Sequence, residues 1–367
     1  MKKRQKIGII FGTRPEIIKL SPIIRLLQKR RKDFFLLHTG QHYSYEMDRL
    51  FFKELELPEP SHQLTLRSKP DEHHGEHVER VTRAIEAVLT RETPQIVLVQ
   101  GDTNSVAGGS LAAARISGAR LGHVEAGLRS YDHAMPEEIN RVLSDHISDF
   151  LFTPTALSRN ILLKEGVSAG KIFMTGNTIV DAVLQNFEIA NRKARYPAHG
   201  RVKPSGYFLM TLHRQENVDH KKRLASILKG LELVSRHFRT PILFPAHPRT
   251  LKRLAEFGLS LPKGIEAMRP AGFLDFLRLE GDAGLILTDS GGVQEEACIL
   301  RVPCVTLRTS TERPETVRAG ANRIAGYDPG RILRCAKAMA ARPRDWKNPF
   351  GDGRAAQRIL AVIERGR

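Results

Sequence analysis

The sequence predicts an α/β protein: parallel β-sheets with helices packed on both faces. Three observations carry this. Short apolar runs alternate with stretches of helical periodicity along the whole chain, as in repeated βαβ units. The apolar runs are continuous, as in strands buried on both faces. The pattern pauses at the charged, proline-containing stretch Asn191–Pro204 and then restarts. Two similar doubly wound domains facing across a cleft are therefore expected, although no internal sequence repeat is evident.

Composition agrees and excludes several classes. A chain of 367 residues, 41% apolar, is long enough for two cores. The formal charge of +18 admits nucleic acid, an acidic surface or an anionic small molecule. The basic residues are interspersed with acids, and the densest cluster, Lys29–Lys32, follows a helix, so no nucleic-acid surface is expected. Cys298, Cys304 and Cys335 are the three cysteines. They lack metal spacing, and an odd count without a signal peptide suits the reducing cytoplasm. The start, Met1–Phe11, imitates a signal sequence, but its apolar run is short and is soon broken by the charged Arg14 and Glu16. No stretch is long enough to span a membrane.

The elements come in chain order. Ile7–Phe11 is a strand, and Gly12-Thr13-Arg14-Pro15-Glu16 opens a helix with Pro15 in its first position. Ile17, Leu20, Ile23, Ile24 and Leu27 have helical spacing. Phe34–His38 is a strand ended by Thr39-Gly40-Gln41-His42-Tyr43. A helix with Met47, Leu50, Phe51 and Leu55 comes next. Residues 56–75 are read as a polar surface excursion. His73-His74-Gly75-Glu76-His77 has the form of a zinc-protease motif. Gly75 weakens the helix that motif needs and no third ligand is identifiable, so a polar helix start is expected and no metal. Val78–Thr90 is helical. Ile96–Val99 is a strand running into Gln100-Gly101-Asp102-Thr103, and Ser110–Ser117 is a small-residue helix segment. Leu121–Arg129 passes from strand to polar loop, and Met135–Arg141 opens a helix. Phe150–Thr153 and Ile172–Thr175 are strands, the second closed by Gly176-Asn177-Thr178 and a helix around Asp181.

In the second half, Tyr207–Thr211 is a strand ending in Leu212-His213-Arg214. Ile242–Pro245 precedes Ala246-His247-Pro248, and Ile265–Met268 leads to Pro270, Gly272 and Phe276. Gly284–Thr288 is a buried strand, followed by Asp289-Ser290-Gly291-Gly292 and a helix start with Asp289 and Ser290 as N-cap candidates and Glu295 and Glu296 in the first turn. Pro303–Leu307 precedes Thr309–Glu315. A last helix covers about Arg354–Arg367.

Every polar cluster named above directly follows a strand, where ligands of parallel sheets bind. Bare N–H groups at the Ser290 turn suit a phosphate. Asp-Ser-Gly-Gly also resembles the nucleophile segment of chymotrypsin-like proteases, whose all-β fold does not fit this pattern. Neither a G-x-G-x-x-G nor a P-loop lysine motif occurs. Phosphate-binding candidates are Arg14, Lys19, Ser290, Gly291, Gly292 and Arg313. Acid/base candidates are Asp102, Glu125 and Glu137 from the first half and His213 from the second. Each has a plainer reading. Arg14 could be a surface residue, and Asp102 a helix cap. Glu125 could pair with Arg129 or Arg141, Glu137 could serve the helix dipole, and His213 could bond a strand end.

Taken together, Gly12–Glu16, Gly101-Asp102-Thr103, His123–Arg129, Pro136–Arg141, Gly176-Asn177-Thr178, Asp289–Glu296 and Thr311–Glu315 resemble the non-hydrolysing UDP-N-acetylglucosamine 2-epimerases. The motifs occur in order over nearly the whole chain. The resemblance implies a GT-B-like fold of two Rossmann-type domains, residues 1–182 and 183–351, with a helix of about 352–367 packing back on the first. It implies interconversion of UDP-GlcNAc and UDP-ManNAc by a homodimer without a cofactor; the alternatives are a 2-epimerase for a UDP-linked diacetamido uronic acid and, in another class, a GT-B glycosyltransferase or a nucleotide-sugar binding protein. It assigns acid/base roles to Asp102, Glu125, Glu137 and His213. It assigns UDP contacts to Arg14, Lys19, Phe276, Ser290, Gly291, Gly292, Glu296 and Arg313. Relatives regulated by their substrate carry a second glutamine shortly after the Gln-His pair. Here Gln41-His42 is followed by Tyr43-Ser44-Tyr45. Ala271-Gly272 stands where some relatives have polar uracil contacts.

Overall fold

The computed structural model describes residues 5–41, 45–67, 72–193 and 203–365. The chain divides into two compact units, Met1–Ala182 with Phe350–Arg367, and Val183–Pro349.

The first unit contains β1 (Lys6–Phe11), α1 (Arg14–Lys29), β2 (Asp33–His38), α2 (Tyr45–Glu54), β3 (His62–Gln63), α3 (His74–Glu92), β4 (Ile96–Gln100), α4 (Asn104–Ala114), β5 (Arg120–Val124), α5 (Pro136–Ile147), β6 (Phe150–Thr153), α6 (Ala156–Lys164) and β7 (Ile172–Met174). Helix α7 (Thr178–Lys193) runs from this unit into the second. The seven strands are ordered β3-β2-β1-β4-β5-β6-β7, every neighbouring pair parallel. The strand order reverses beside β1, between β1 and β4, which is where such a sheet opens a crevice for ligands.

Local sequence explains the elements. Thr13 is the extended N-cap of α1, and the predicted apolar stripe Ile17, Leu20, Ile23, Ile24 and Leu27 is fully buried. Pro22 sits inside this helix and removes the N–H that would have bonded the Ile18 carbonyl. The Ser21 hydroxyl donates to that carbonyl instead, at 2.8 Å. The expected excursion over residues 56–75 is not wholly irregular. It contributes β3, whose His62 and Gln63 register with Leu37 and His38 at the sheet edge. A two-residue strand is too short to leave a period in the sequence.

The second unit contains β8 (Phe208–Thr211), α8 (Gln215–Val218), α9 (Lys221–Phe238), β9 (Ile242–Pro245), α10 (Pro248–Glu256), β10 (Ile265–Met268), α11 (Phe273–Asp282), β11 (Leu285–Thr288), α12 (Gly291–Ile299), β12 (Cys304–Thr306), α13 (Pro314–Arg318), β13 (Asn322–Ile324) and α14 (Pro329–Ala340). Its six strands are ordered β10-β9-β8-β11-β12-β13. This is the order of the first sheet without its seventh strand. Alternate residues enter two cores. Phe208, Met210, Leu285 and Leu287 face one, while Tyr207, Leu209 and Ile286 face the other, as period-two side-chain alternation requires. Among the described residues no helix is long and apolar enough to cross a membrane.

The last helix, α15 (Ala355–Arg365), belongs to the first unit. Ile359, Leu360 and Ile363 are buried, and Glu364 pairs with Arg30 at 3.1 Å and Lys32 at 2.7 Å. Its N-terminus is closed from a distance. The buried Asp181 carboxylate accepts from the N–H groups of Ala355 at 3.1 Å and Ala356 at 3.0 Å. Asp181→Ala should therefore lower stability by about 1–2 kcal/mol, read as a shifted denaturation midpoint, and Asp181→Asn should cost less. No shift for Asp181→Ala would refute the capping role.

Candidate active site

The turns after β1, β4 and β5 carry the first group of predicted residues. Gly12 admits close approach: a Cβ there would lie 2.1 Å from the Ser105 hydroxyl and 2.2 Å from that of Thr39. Glu16 organises the turn. Its buried carboxylate accepts from Gly12 N–H at 2.9 Å, the Thr13 hydroxyl at 2.7 Å and the Thr103 hydroxyl at 2.8 Å. Burial pushes the Glu16 carboxyl up to about 6, against these hydrogen bonds. The Gly12–Glu16 motif pointed here, but nothing in the sequence showed that Glu16 binds the turn after another strand. The Arg14 guanidinium lies over the Phe51 ring at 5.2 Å.

Glu125 is constrained in both its backbone and its side chain. It has a φ of 72°, a left-handed backbone that costs a non-glycine residue on the order of 1 kcal/mol. Its buried side chain accepts from Lys19 Nζ at 2.5 Å, Gln100 Nε2 at 2.5 Å and Asn177 Nδ2 at 3.1 Å. Of the two arginines offered as its alternative partners, Arg129 pairs with Asp145 and Glu165, and Arg141 with Asp102 and Glu138. Lys19 therefore stands beside a predicted acid/base group within the first unit. Gly127 follows with a φ of 79°, and a Cβ there would meet the Ser158 carbonyl at 2.4 Å, so both backbone and space demand glycine.

Asp102, 33% exposed at its side chain, pairs with Arg141. It does not cap α4: the N-cap is Thr103, whose hydroxyl accepts from Val106 N–H at 3.3 Å. Glu137 occupies the first turn of α5 and is exposed, with no hydrogen bond or ion pair among the described residues. Its neighbour Glu138 is buried. It accepts from Ser130 N–H and Tyr131 N–H, each at 2.9 Å, and from Arg141 at 3.0 Å. Burial would raise its pKa, but these donors hold it below the ordinary glutamate value. Arg141 thus joins Asp102 to Glu138, a link sequence reasoning missed.

The histidines of the His73–His77 segment are turned to different partners. His74 Nε2 lies 3.1 Å from Asn140 Oδ1, and His77 Nδ1 lies 3.1 Å from Glu72. Among the described residues no group of His, Cys, Asp and Glu is placed to hold a metal ion.

In the second unit, the turns after β8 and β11 are joined by Asp289. Of the two N-cap candidates for α12, Ser290 occupies the position and Asp289 does not. The fully buried Asp289 carboxylate instead accepts from the His213 N–H at 3.1 Å, the Arg214 N–H at 2.9 Å and Asn217 Nδ2 at 3.2 Å. His213 Nδ1 lies 3.1 Å from Asp289 Oδ1. That contact orients the ring and leaves Nε2 for another partner. Burial alone would raise the Asp289 carboxyl, but His213 and the surrounding donors depress it.

The Ser290 turn has the predicted open helix start. The first-turn N–H groups have no partner within a helix. A Cβ on Gly291 would meet nothing nearer than Glu312 Oε2 at 3.7 Å, and one on Gly292 nothing nearer than Ser290 Oγ at 4.0 Å. The protein itself therefore does not require these glycines. They leave a bare backbone, which suits close approach by an anion. Glu295 and Glu296 lie past the first turn, a correction to their expected place. Glu295 Oε1 pairs with Arg313 Nε at 2.7 Å. Burial pushes the Glu296 carboxyl up to about 7. It also raises the neighbouring Glu280, which the charge of Glu296 raises further. Arg308 spans the loops, bonding Glu216 at 2.7 Å and Glu312 at 2.7 and 2.9 Å. It holds the Glu312 carboxyl down to about 2. Phe276 is half-buried against the core beneath β8 and β11. His42, Tyr43 and Ser44 lie outside the described residues.

Two parallel sheets of Rossmann order, carboxylates gathered at one set of strand ends and a bare helix N-terminus at another define a doubly wound α/β protein with ligand-binding turns at its strand ends. The chain belongs to the UDP-N-acetylglucosamine 2-epimerase family, whose model matches residues 25–364. It is 51% identical to the UDP-N-acetylglucosamine 2-epimerase of Methanocaldococcus jannaschii, over 99% of this chain and 100% of that one. The solved structure of the M. jannaschii UDP-GlcNAc 2-epimerase aligns with a TM-score of 0.91 at 50% identity, covering 99% of this chain and 100% of that chain. A second structure, in complex with UDP-GlcNAc and UDP, aligns at 0.81 with 51% identity and the same coverage. The UDP-2,3-diacetamido-2,3-dideoxy-D-glucuronate 2-epimerase of Pseudomonas aeruginosa is 38% identical over 98% of this chain and 99% of that one.

Glu16 makes a pH-dependent contribution with a defined sign. Its folded-state pKa of about 6 exceeds the ordinary 4.5, so the folded state binds the proton more tightly. The contribution is full below the ordinary value and lost as pH rises through the folded one. It amounts to about 2 kcal/mol. Denaturation of the wild type and Glu16→Gln from pH 4 to 7 should differ by this slope. Parallel profiles would refute it.

Proposed function

We propose that this chain is a non-hydrolysing UDP-N-acetylglucosamine 2-epimerase that interconverts UDP-GlcNAc and UDP-ManNAc. The observation that carries the reading is Glu125, a buried carboxylate in a left-handed turn, gripped by Lys19, Gln100 and Asn177. Such strain and fixed orientation suit a group that handles a proton or orients a substrate. The M. jannaschii relative, a UDP-N-acetylglucosamine 2-epimerase, and its complex with UDP-GlcNAc and UDP supply the substrate.

The substrate sets the chemistry. No carbonyl acidifies the C2 proton of the sugar. A base removes that proton as the C1–oxygen bond to UDP breaks, and the electron pair forms the C1–C2 double bond of a glycal. UDP then adds back at C1 while a proton is delivered to C2 from the other face. The atoms balance without a redox cofactor. Asp102, Glu125 and Glu137 supply the acid/base groups of the first unit. In the second, Ser290, Gly291, Gly292 and Arg313 hold the diphosphate and His213 assists its departure. Arg14, Lys19, Phe276 and Glu296 complete the proposed contacts. The family resemblance supports a homodimer, and the odd cysteine count suits the cytoplasm. A second reading, a 2-epimerase for a UDP-linked diacetamido uronic acid, is favoured by the P. aeruginosa relative and the charge of +18.

Incubation with UDP-GlcNAc in deuterated water should place deuterium at C2 with no acceptor or nicotinamide added. Exchange only with the uronic acid would select the second reading, and none with either would remove both. Glu125→Gln should reduce turnover by orders of magnitude while UDP still binds, and near-normal rates would refute its role. Arg313→Ala should weaken UDP binding by about 1–3 kcal/mol in calorimetry, as loss of a charge-assisted bond does. Unchanged affinity would take Arg313 out of the site.

A further inference from the structure

Beneath the turn that carries Asp102 lies a charge pair without an assigned role. His123 in β5 and Asp145 in α5 are each 1% exposed. The His123 ring is engaged at both nitrogens. Nδ1 lies 2.7 Å from Asp145 Oδ1, and Nε2 lies 2.8 Å from the Gly101 carbonyl oxygen. The carbonyl can only accept. Asp145 is held as an acceptor too, since its other oxygen takes the Gly127 N–H at 3.1 Å and Arg129 at 2.6 Å. A neutral imidazole has one N–H, so two acceptors call for the doubly protonated ring. Burial alone would lower the ring's pKa. Asp145, the Gly101 carbonyl and the charge of Asp102 outweigh it and raise the value above that of ordinary histidine. The charged groups around the pair are Asp145, Arg129, Glu165 beyond Arg129 at 2.6 Å, and Asp102 with its partner Arg141.

The pair ties together three pieces of backbone. The Gly101 carbonyl belongs to the peptide unit leading into Asp102. The Gly127 N–H lies two residues past Glu125. Asp145 lies on α5, which opens with Glu137 and carries Arg141. We propose that His123 is a positioning residue for epimerisation: anchored by Asp145, it holds the Gly101 carbonyl and so sets the direction in which Asp102 presents its carboxylate. The role in catalysis rests on the function proposed above.

The two ring contacts can be removed separately. The amide of His123→Asn can reach Asp145 but not Gly101, whereas that of His123→Gln can reach Gly101. With the sugar that turns over, His123→Asn should lower kcat at least tenfold, with KM and UDP affinity within about twofold. His123→Gln should recover part of the loss. A kcat within twofold of wild type in His123→Asn, or equal loss in both variants, would overturn the proposal. Asp145→Asn guards against misfolding of those variants. It keeps the ring and withdraws its counter-charge, so the alkaline limb of kcat should move to lower pH, and an unmoved limb would be fatal. The full chain labelled with 15N-histidine provides a readout free of activity. Two His123 ring N–H signals at neutral pH are expected, and one alone would overturn the proposal even if the chain epimerises UDP-GlcNAc. Two signals in a chain that exchanges no hydrogen at C2 would support the anchoring and sink the functional reading alone.

Discussion

The turns at the carboxyl ends of the strands must present bare polar backbone for a ligand, yet several of their buried or partly buried N–H groups have no sheet partner. Leaving such a group unsatisfied costs about 1–3 kcal/mol. The chain meets this constraint with buried carboxylates. Glu16 takes the Gly12 N–H, Asp145 the Gly127 N–H and Glu138 those of Ser130 and Tyr131. Asp289 takes those of His213 and Arg214. Each carboxylate accepts several donors at once, so each turn has one arrangement that satisfies all its members. Irregular backbone becomes as determined as the strands that precede it.

The same device explains why nearby cations do not all point at a ligand. Arg141 is shared by Asp102 and Glu138, Arg129 by Asp145 and Glu165, and Arg308 by Glu216 and Glu312. A buried carboxylate needs charge-assisted donors, and a shared guanidinium supplies them with fixed geometry. Part of the positive charge thus works inside the fold, holding acids in place.

Both units have the same strand order, although the sequence shows no repeat. In each, the proposed groups flank the point where the order reverses. Gly12–Glu16 and Asp102 follow β1 and β4, and His213 and Ser290 follow β8 and β11. The likeness of the halves lies in a burial pattern that many sequences satisfy, which is why topology recurs where residues do not.

Most of the strands, many of the helices that follow them and the turns that carry polar residues were legible in the sequence, whereas the short β3 and β13 were not. Apolar period and turn chemistry are local, and Ile17 to Leu27 show them as clearly as any segment. The sequence also marked the Ser290 turn, because two glycines after a buried strand have little other use there. What it left open was decided by contacts between distant residues. Asp289 looks like a helix cap beside Ser290, yet its partners His213 and Arg214 lie 76 and 75 residues away. Glu125 finds Lys19 at a separation of 106 residues, while Arg129 and Arg141 pair with other carboxylates. Glu137 and Glu138 are adjacent, and only the packing of α5 shows which one faces solvent and which is buried. Hydrogen-bond partners across different strands are brought together by sheet order, and sheet order is a property of the folded chain.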